Sequence, residues 1–467
     1  MSRTVKVTVL APLFVVGCLT LLNWGNYRLM GWGLSGVAVF GWELHWAPWV
    51  ATLVCHITLF VMLTATVLTV AERKWSAFTQ DRIGPERARL PFLSQHSLGG
   101  LPHVAADALK MLFKEDTRPK AAQQDRILFT LAPILAFAPI FALAAVIPFG
   151  PRIRLASGFF VAPQVSNPDF GLLFVFAIAS LAVYGTSLAG WASNSKFALL
   201  GGVRASSQMI SYEVALGLSL VGLMIAFTTV QLPVMVGSAA AGSGQAQYLW
   251  STSILGLDVG IPAWGIVLQP LGFLLFFAAA FAETKRAPFD LPEGESEIIG
   301  YFLEYSGMKF GTFMISEFVE VVVLSALITA LFLGGWHFGF VGDAAFAAGW
   351  GRSHPVLYGT VCAVVFGLKT IILCWFQLIV RWTFPRFRYD QIMTLGWKIL
   401  LPLGLFNVFL SGALILLDPT LRWLGAVGIL EIAILVGLTL TAGRKAAPSG
   451  EGSGHDAHPV PATAAHH

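Results

Sequence analysis

The residues with the most chemistry to offer lie between Glu283 and Lys309, in the run ETKRAPFDLPEGESEIIGYFLEYSGMK. It sets six carboxylates against three basic side chains. Four of the acids, Asp290, Glu293, Glu295 and Glu297, crowd into one short piece. Two charges ~8 Å apart repel by about 0.5 kcal/mol in water and about 2 kcal/mol at an effective dielectric of ~20. The larger figure is worth about 1.5 pKa units. Exposed to solvent, the cluster is a charged loop; enclosed by protein, it cannot stay fully ionised and becomes a proton-sharing site.

Other ionisable residues interrupt apolar runs. Glu213 stands at the start of one, Glu317 and Glu320 lie on another, and Lys369 on a third. An acid in such a place needs a partner, a proton or water, so together they suggest a polar path through the molecule. Glu72 and Arg73 fall where an apolar run gives way to charge, a position that suits interfacial ion pairing equally well. Cys18, Cys55, Cys362 and Cys374 are far apart and each sits in an apolar segment, which excludes the spacing of a zinc or iron–sulfur site. No GxxxxGK[ST] loop is present, and the lone GxGxxG match at Gly31–Gly36 stands in no strand–turn–helix pattern of the sequence, so any nucleotide chemistry is expected on another chain. No nucleic-acid partner is called for.

The elements that must position these side chains are membrane helices. The 467 residues are 56% hydrophobic and 12% charged, with mean hydropathy +0.74, far from the roughly 25% charge of soluble domains. Apolar runs at 7–23, 47–71, 127–148, 169–190, 212–230, 262–282, 312–334, 356–380, 397–417 and 421–442 each approach the ~20 residues that cross ~30 Å of hydrocarbon. The expected fold is an all-α polytopic membrane protein of about ten spans. The first run is expected to be an uncleaved anchor, since no small-x-small cleavage site follows it. Grouping residues 1–6, 72–126, 191–211, 283–311, 381–398 and everything after the last apolar run (443–467) on one side collects 23 lysines and arginines against five on the other. By the positive-inside rule those loops and both termini are cytoplasmic, and so is the acidic stretch. Within the first of these loops Leu101, Val104, Ala105, Ala108 and Leu112 follow a helical period. That makes a short amphipathic helix able to lie in the interface, with Asp107, Lys110 and Lys114 elsewhere on its wheel. The second, 191–211, reads as a loop, and the residues from Ala446 as a disordered tail.

The runs AERKWSAFTQDRIGP, FKEDTRPK, GWASNSKFALLGGVRASSQMISYE, ETKRAPFDLPEGESE, EYSGMKFG and FPRFRYDQIMTLGWKILLP resemble, in unbroken order, the quinone-site membrane subunit of proton-pumping NADH:quinone oxidoreductase, respiratory complex I. The resemblance covers about residues 47–417. It implies an eight-helix core with long cytoplasmic loops, flanked by an extra helix and periplasmic linker at 1–46, an extra helix at 418–445 and the tail at 446–467. It further implies a chamber for ubiquinone or menaquinone bordered by Glu72, Arg73 and Asp107. Glu213, Glu283, Asp290, Glu293, Glu295, Glu297 and Glu304 would form a carboxylate chain that couples quinone reduction to proton translocation. Arg286 would balance that charge, and Arg381, Arg386 and Arg388 would hold the facing loop. The flavin and iron–sulfur clusters would belong to hydrophilic peripheral-arm subunits docked on the loops, with small and antiporter-like membrane subunits alongside in a bacterial inner membrane. No metal, flavin or cluster is expected on this chain. One departure is Glu86, where the family usually has Asn after the proline. An anchor subunit of a related membrane-bound hydrogenase, or of another donor:quinone complex, shares parts of these loops; a stand-alone secondary transporter would also suit helices with intramembrane acids.

Overall fold

A long apolar run in a bilayer must satisfy its backbone without water, which a helix does within one segment, and the described runs are helical. The computed structural model describes residues 38–39, 42–43, 60–88, 100–120, 125–154, 160–238, 241–254, 257–294, 297–339, 346–347, 349, 351 and 353–446. The expected first span, much of 47–71, Glu295 and the tail after Ala446 lie outside them. Within the described residues, seven helices are long and apolar enough to cross a membrane.

In chain order the helices are α1 (Met62–Thr79), the amphipathic α2 (Leu101–Phe113), α3 (Arg126–Val146), α4 (Gly171–Ala192), α5 (Lys196–Phe227), the single-turn α6 (Leu232–Val236) and α7 (Gly265–Leu268), then α8 (Pro270–Glu283), α9 (Gly307–Phe332), α10 (Pro355–Thr383), α11 (Tyr389–Leu417) and α12 (Arg422–Ala446). Three antiparallel two-stranded hairpins, the longest pairing Tyr248–Ile254 with Leu257–Pro262, occupy connections. The most enclosed of the long helices is α9. It is apolar nearly all round, and its Val319, Val322, Ile328, Ala330, Leu331 and Phe332 are buried, as a helix at the centre of a bundle requires. The outward faces of α11 and α12 expose Phe406, Phe409, Leu430, Leu438 and Leu440, the side chains a lipid-facing surface carries.

Two expected boundaries are corrected. The stretch 191–211 is not a loop: α5 begins at Lys196 and runs 32 residues, about 48 Å, so its first turns project well beyond a 30 Å hydrocarbon layer. Gly201 and Gly202 look like turn residues, yet they are there for close packing. A Cβ on Gly201 would stand 2.9 Å from the Tyr301 amide nitrogen, and one on neighbouring Gly190 would stand 2.6 Å from the Ala198 carbonyl oxygen. Likewise 262–282 is not one continuous span. It breaks between α7 and α8 at Gln269, whose φ of −145° and ψ of 73° are not helical, because Pro270 restrains the residue before it and brings no N–H. A smaller irregularity is a π-helical turn at Leu395–Leu400 inside α11, next to Pro402, which removes the amide that would have bonded the Lys398 carbonyl.

Gly185 shows how tightly α3 and α4 meet: a Cβ there would lie 2.4 Å from the Ala136 amide nitrogen. Gly185→Val is expected to cost about 1–3 kcal/mol by forcing the helices apart, seen as a lowered thermal unfolding midpoint of the purified protein.

Candidate functional site

The loop between α8 and α9 is folded inward. As α8 ends, Thr284 and Lys285 turn the chain, Lys285 at a φ of +56°. That left-handed conformation usually falls to glycine. Here its strain is offset by what the turn achieves, an ion pair between the buried ammonium and the buried Glu320 carboxylate on α9 at 3.4 Å. Gln208 of α5 clamps both limbs, its amide donating to the Ala282 and Phe289 carbonyls at 2.7 and 2.9 Å. The elongated N-terminus of α5 adds Arg204, which donates to Glu297 at 2.7 Å.

Arg286 is the centre of the ionic network. Its Nη1 donates to Glu72 on α1 at 2.5 Å, Nη2 lies 4.0 Å from Glu317 on α9, and the guanidinium stacks 3.9 Å from the Phe318 ring centroid. Arg381 of α10 donates to the other oxygen of Glu72, so one carboxylate on α1 ties two cations from different elements. T-shaped packing of Trp75 on Trp375 holds α1 against α10 beside it. Glu293 lies close enough to Glu317 for the two carboxyls to interact. Burial, then the adjoining Glu317 carboxyl, push Glu293 well above the ordinary carboxylate range. Burial alone would lower Lys285, but Glu320, Glu317 and Glu283 outweigh it and leave it raised. Asp290 pairs with Arg386 at 2.6 Å, and burial, outweighing that arginine, pushes its carboxyl up to about 6.

A second group lies deeper. Glu213 on α5 accepts a hydrogen bond from Ser180 on α4. Across from it is Glu283, the last residue of α8, and the two line a cavity of about 30 Å³ whose other walls include Leu143, Val175, Leu216 and Leu324. That space holds one or two water molecules. Among the described residues, buried oxygens of Glu283, Asp290, Glu293 and Glu317 receive no donor from the protein. Carboxyls so placed either carry a proton or bind water.

The expected site residues therefore divide. Glu72, Arg286, Arg381, Asp290, Glu293 and Arg386 come together, and Glu213 and Glu283 share the cavity. Arg73 and Asp107 form a separate, half-exposed pair at 2.7 Å that links α1 to α2. Glu304 is partly exposed and has no ion pair among the described residues. Arg388 turns outward to Asp390 at 3.7 Å, away from the loop it was expected to hold, while its backbone amide is capped by Gln391. Lys369 is not on the acidic path. Its ammonium donates to the carbonyls of Leu333, Gly335 and His337 at 2.7, 3.1 and 2.7 Å, beyond the end of α9 and about 20 Å along that helix from Glu320. There it satisfies carbonyls that a helix terminus leaves free. Glu317 and Glu320, read from the sequence as part of a polar path, join the network, and Lys285, Ser180 and Gln208, which the sequence reading did not single out, complete it. The acid pair three residues apart on an otherwise apolar helix was the signal for Glu317 and Glu320. Glu86, the departure noted above, pairs with the buried Lys74 at 3.1 Å.

Two expectations test this geometry. Arg286→Met leaves Glu72 and Glu317 short of a buried cation and is expected to destabilise the protein by about 3–5 kcal/mol, measured as a fall in its thermal midpoint. Asp290 holds its proton more tightly folded than unfolded, so its contribution to stability is present below the ordinary value of 3.8 and is lost as pH rises through about 6. Infrared titration is expected to show one carboxyl ionising near that pH, and Asp290→Asn to remove it.

Comparison with known proteins accords with this architecture. The profile of the NADH dehydrogenase family matches residues 51–412. The H 1 subunit of NADH-quinone oxidoreductase from Geobacter metallireducens is 43% identical over 360 residues, 77% of this chain and 94% of the relative. The H 1 subunit from Geobacter sulfurreducens is 38% identical over 394 residues, 82% and 99%. The NADH-quinone oxidoreductase subunit 8 of Rhodothermus marinus is 41% identical over 370 residues, 79% and 96%. With the profile covering most of its length and such relatives matched almost end to end, the chain belongs to the NADH dehydrogenase family, that of the H subunits of NADH-quinone oxidoreductase.

Proposed function

We propose that this chain is the membrane subunit of a proton-translocating NADH:quinone oxidoreductase that walls much of the quinone chamber and couples quinone reduction to proton movement. The names of its relatives support the enzyme. The observation that carries the coupling role is the enclosure of the acidic stretch, in which carboxyls from α1, α8, α9 and the 284–306 loop meet around Arg286 and Lys285. Glu72, Arg73 and Asp107 border the chamber in this reading, where α1 meets the interfacial α2. The proton path runs through Glu293, Asp290 and Glu283 to Glu213, with Glu295, Glu297 and Glu304 at its mouth and Glu317 and Glu320 as added members. Arg286, Arg381 and Arg386 balance the charge. The charged loops face the cytoplasm and dock the peripheral-arm subunits that carry flavin and iron–sulfur clusters.

The electrons arrive from those partners, and this chain's part is electrostatic. A change of charge at the headgroup alters Glu72 and Arg286, and with them the proton shared by Glu293 and Glu317. The disturbance passes along contiguous ion pairs rather than through moving helices. In the assembled enzyme, Glu213→Gln and Glu293→Gln are each expected to lower quinone-reductase turnover and proton pumping roughly 100-fold, while electron transfer from NADH to a hydrophilic acceptor continues. Coupled activity at the wild-type level in both variants refutes the proposal.

A further inference from the structure

C-terminal to the part that matches the family profile the chain continues into α12, and that helix is docked by a specific contact. α12 follows a turn in which Asp418 accepts from the Thr420 amide and hydroxyl and from the Trp423 amide. Leu421 and Leu424 then pack with Leu249, Ala263 and Leu268. Gly425 and Gly428 bring the backbones together: a Cβ on Gly428 would stand 2.0 Å from the Val267 carbonyl oxygen, and one on Gly425 would stand 2.6 Å from Leu249 Cδ1. Three residues on, Glu431 reaches the first turn of α8, where its Oε2 accepts the Leu271 amide at 3.3 Å.

That acceptor meets a need. α8 starts inside the bundle, after the break at Gln269, and no side chain of its own caps it. Pro270 has no N–H, and the Gln269 side chain is turned to Ser411 at 2.7 Å and Asn407 at 3.5 Å. An uncapped Leu271 amide in hydrocarbon has no water to turn to. A carboxylate at a helix N-terminus also complements the helix dipole. From this point α8 runs 14 residues, about 21 Å, straight to Glu283.

We infer that Glu431 is a positioning residue for the acidic path: a helix outside the family core holds the start of α8 and, through that rod, the place of Glu283 opposite Glu213. The functional half of this inference rests on the proposed coupling role; the contact itself does not. The test compares Glu431→Leu with Glu431→Gln in the assembled complex. Glutamine keeps a carbonyl acceptor for Leu271 and cannot ionise. Amide exchange across residues 266–275, read by mass spectrometry, is expected to quicken roughly fivefold in the leucine variant and to stay unchanged in the glutamine variant. Quinone turnover is expected to fall several-fold in Glu431→Leu with KM for quinone unchanged, and Glu431→Gln to retain it. Three results overturn the inference: a glutamine variant as defective as the leucine one, which would make the ionisable proton the active feature; a leucine variant with unaltered exchange; or faster exchange with wild-type turnover. If the leucine chain does not assemble, Glu431→Ala carries the same comparison. Wild-type coupling in both Glu213→Gln and Glu293→Gln would instead refute the acidic path while leaving the exchange result standing.

Discussion

Charges enclosed in a low-dielectric interior persist only when paired or protonated, and this end of the bundle is arranged around that rule. Five carboxyls, Glu72, Glu283, Glu293, Glu317 and Glu320, are enclosed with three cations, Lys285, Arg286 and Arg381. Asp290 and Arg386 balance each other nearby. Electroneutrality of the group therefore requires about two protons among five acids. The carboxyl oxygens with no donor from the described protein are where such protons, or the waters that carry them, have room. Under the proposed function, the ionic network stores protons whose number depends on any charge brought near Arg286.

The helices explain why so expensive a cluster is tolerated. α9 lies at the centre and presents Glu317 and Glu320 on adjoining positions of one face, while its remaining turns are apolar and buried. The 284–306 loop could not enter the protein with its backbone unsatisfied. Gln208 donates to the Phe289 carbonyl as well as to that of Ala282 at the end of α8, Phe387 donates to that of Pro288, and the Phe289 ring packs among Tyr212, Phe281 and Phe387. The aromatic layer excludes solvent, which strengthens the ion pairs beneath it.

Much of this was legible in the sequence and some was not, for identifiable reasons. Apolar length located most spans to within a few residues, and a helical period located α2 closely. What failed were places where one residue type serves two purposes. Gly201 and Gly202 read as a turn but allow close approach within a long helix; Pro270 interrupts a run whose hydropathy is continuous. Single-residue roles were harder still. Arg388 and Arg386 are two positions apart and equally basic, yet only Arg386 reaches the acidic loop, since Arg388 already stands at the start of α11 and its side chain leaves with that helix toward Asp390. Lys369 in an apolar run looks like part of a polar path until the chain is folded. Then it proves to satisfy a helix end on the other side of the bundle.

The cavity between Glu213 and Glu283 constrains how such a path could conduct. Its walls are largely aliphatic, so a water molecule inside has few partners besides the two carboxyls, and with both protonated it is held weakly. Ionising either acid supplies a strong acceptor and draws water in. Under the proposed function, then, the connection between the two acids is made by the same charge change that needs to travel through it. In that reading the link closes when quinone-coupled chemistry drives a proton out of the cluster around Arg286 and opens again when neutrality returns. A permanently wet channel would leak protons down the membrane gradient. An apolar gap bounded by two acids conducts only on demand, and a displacement of Glu283 by even part of a helical turn would widen it beyond what one or two waters can bridge.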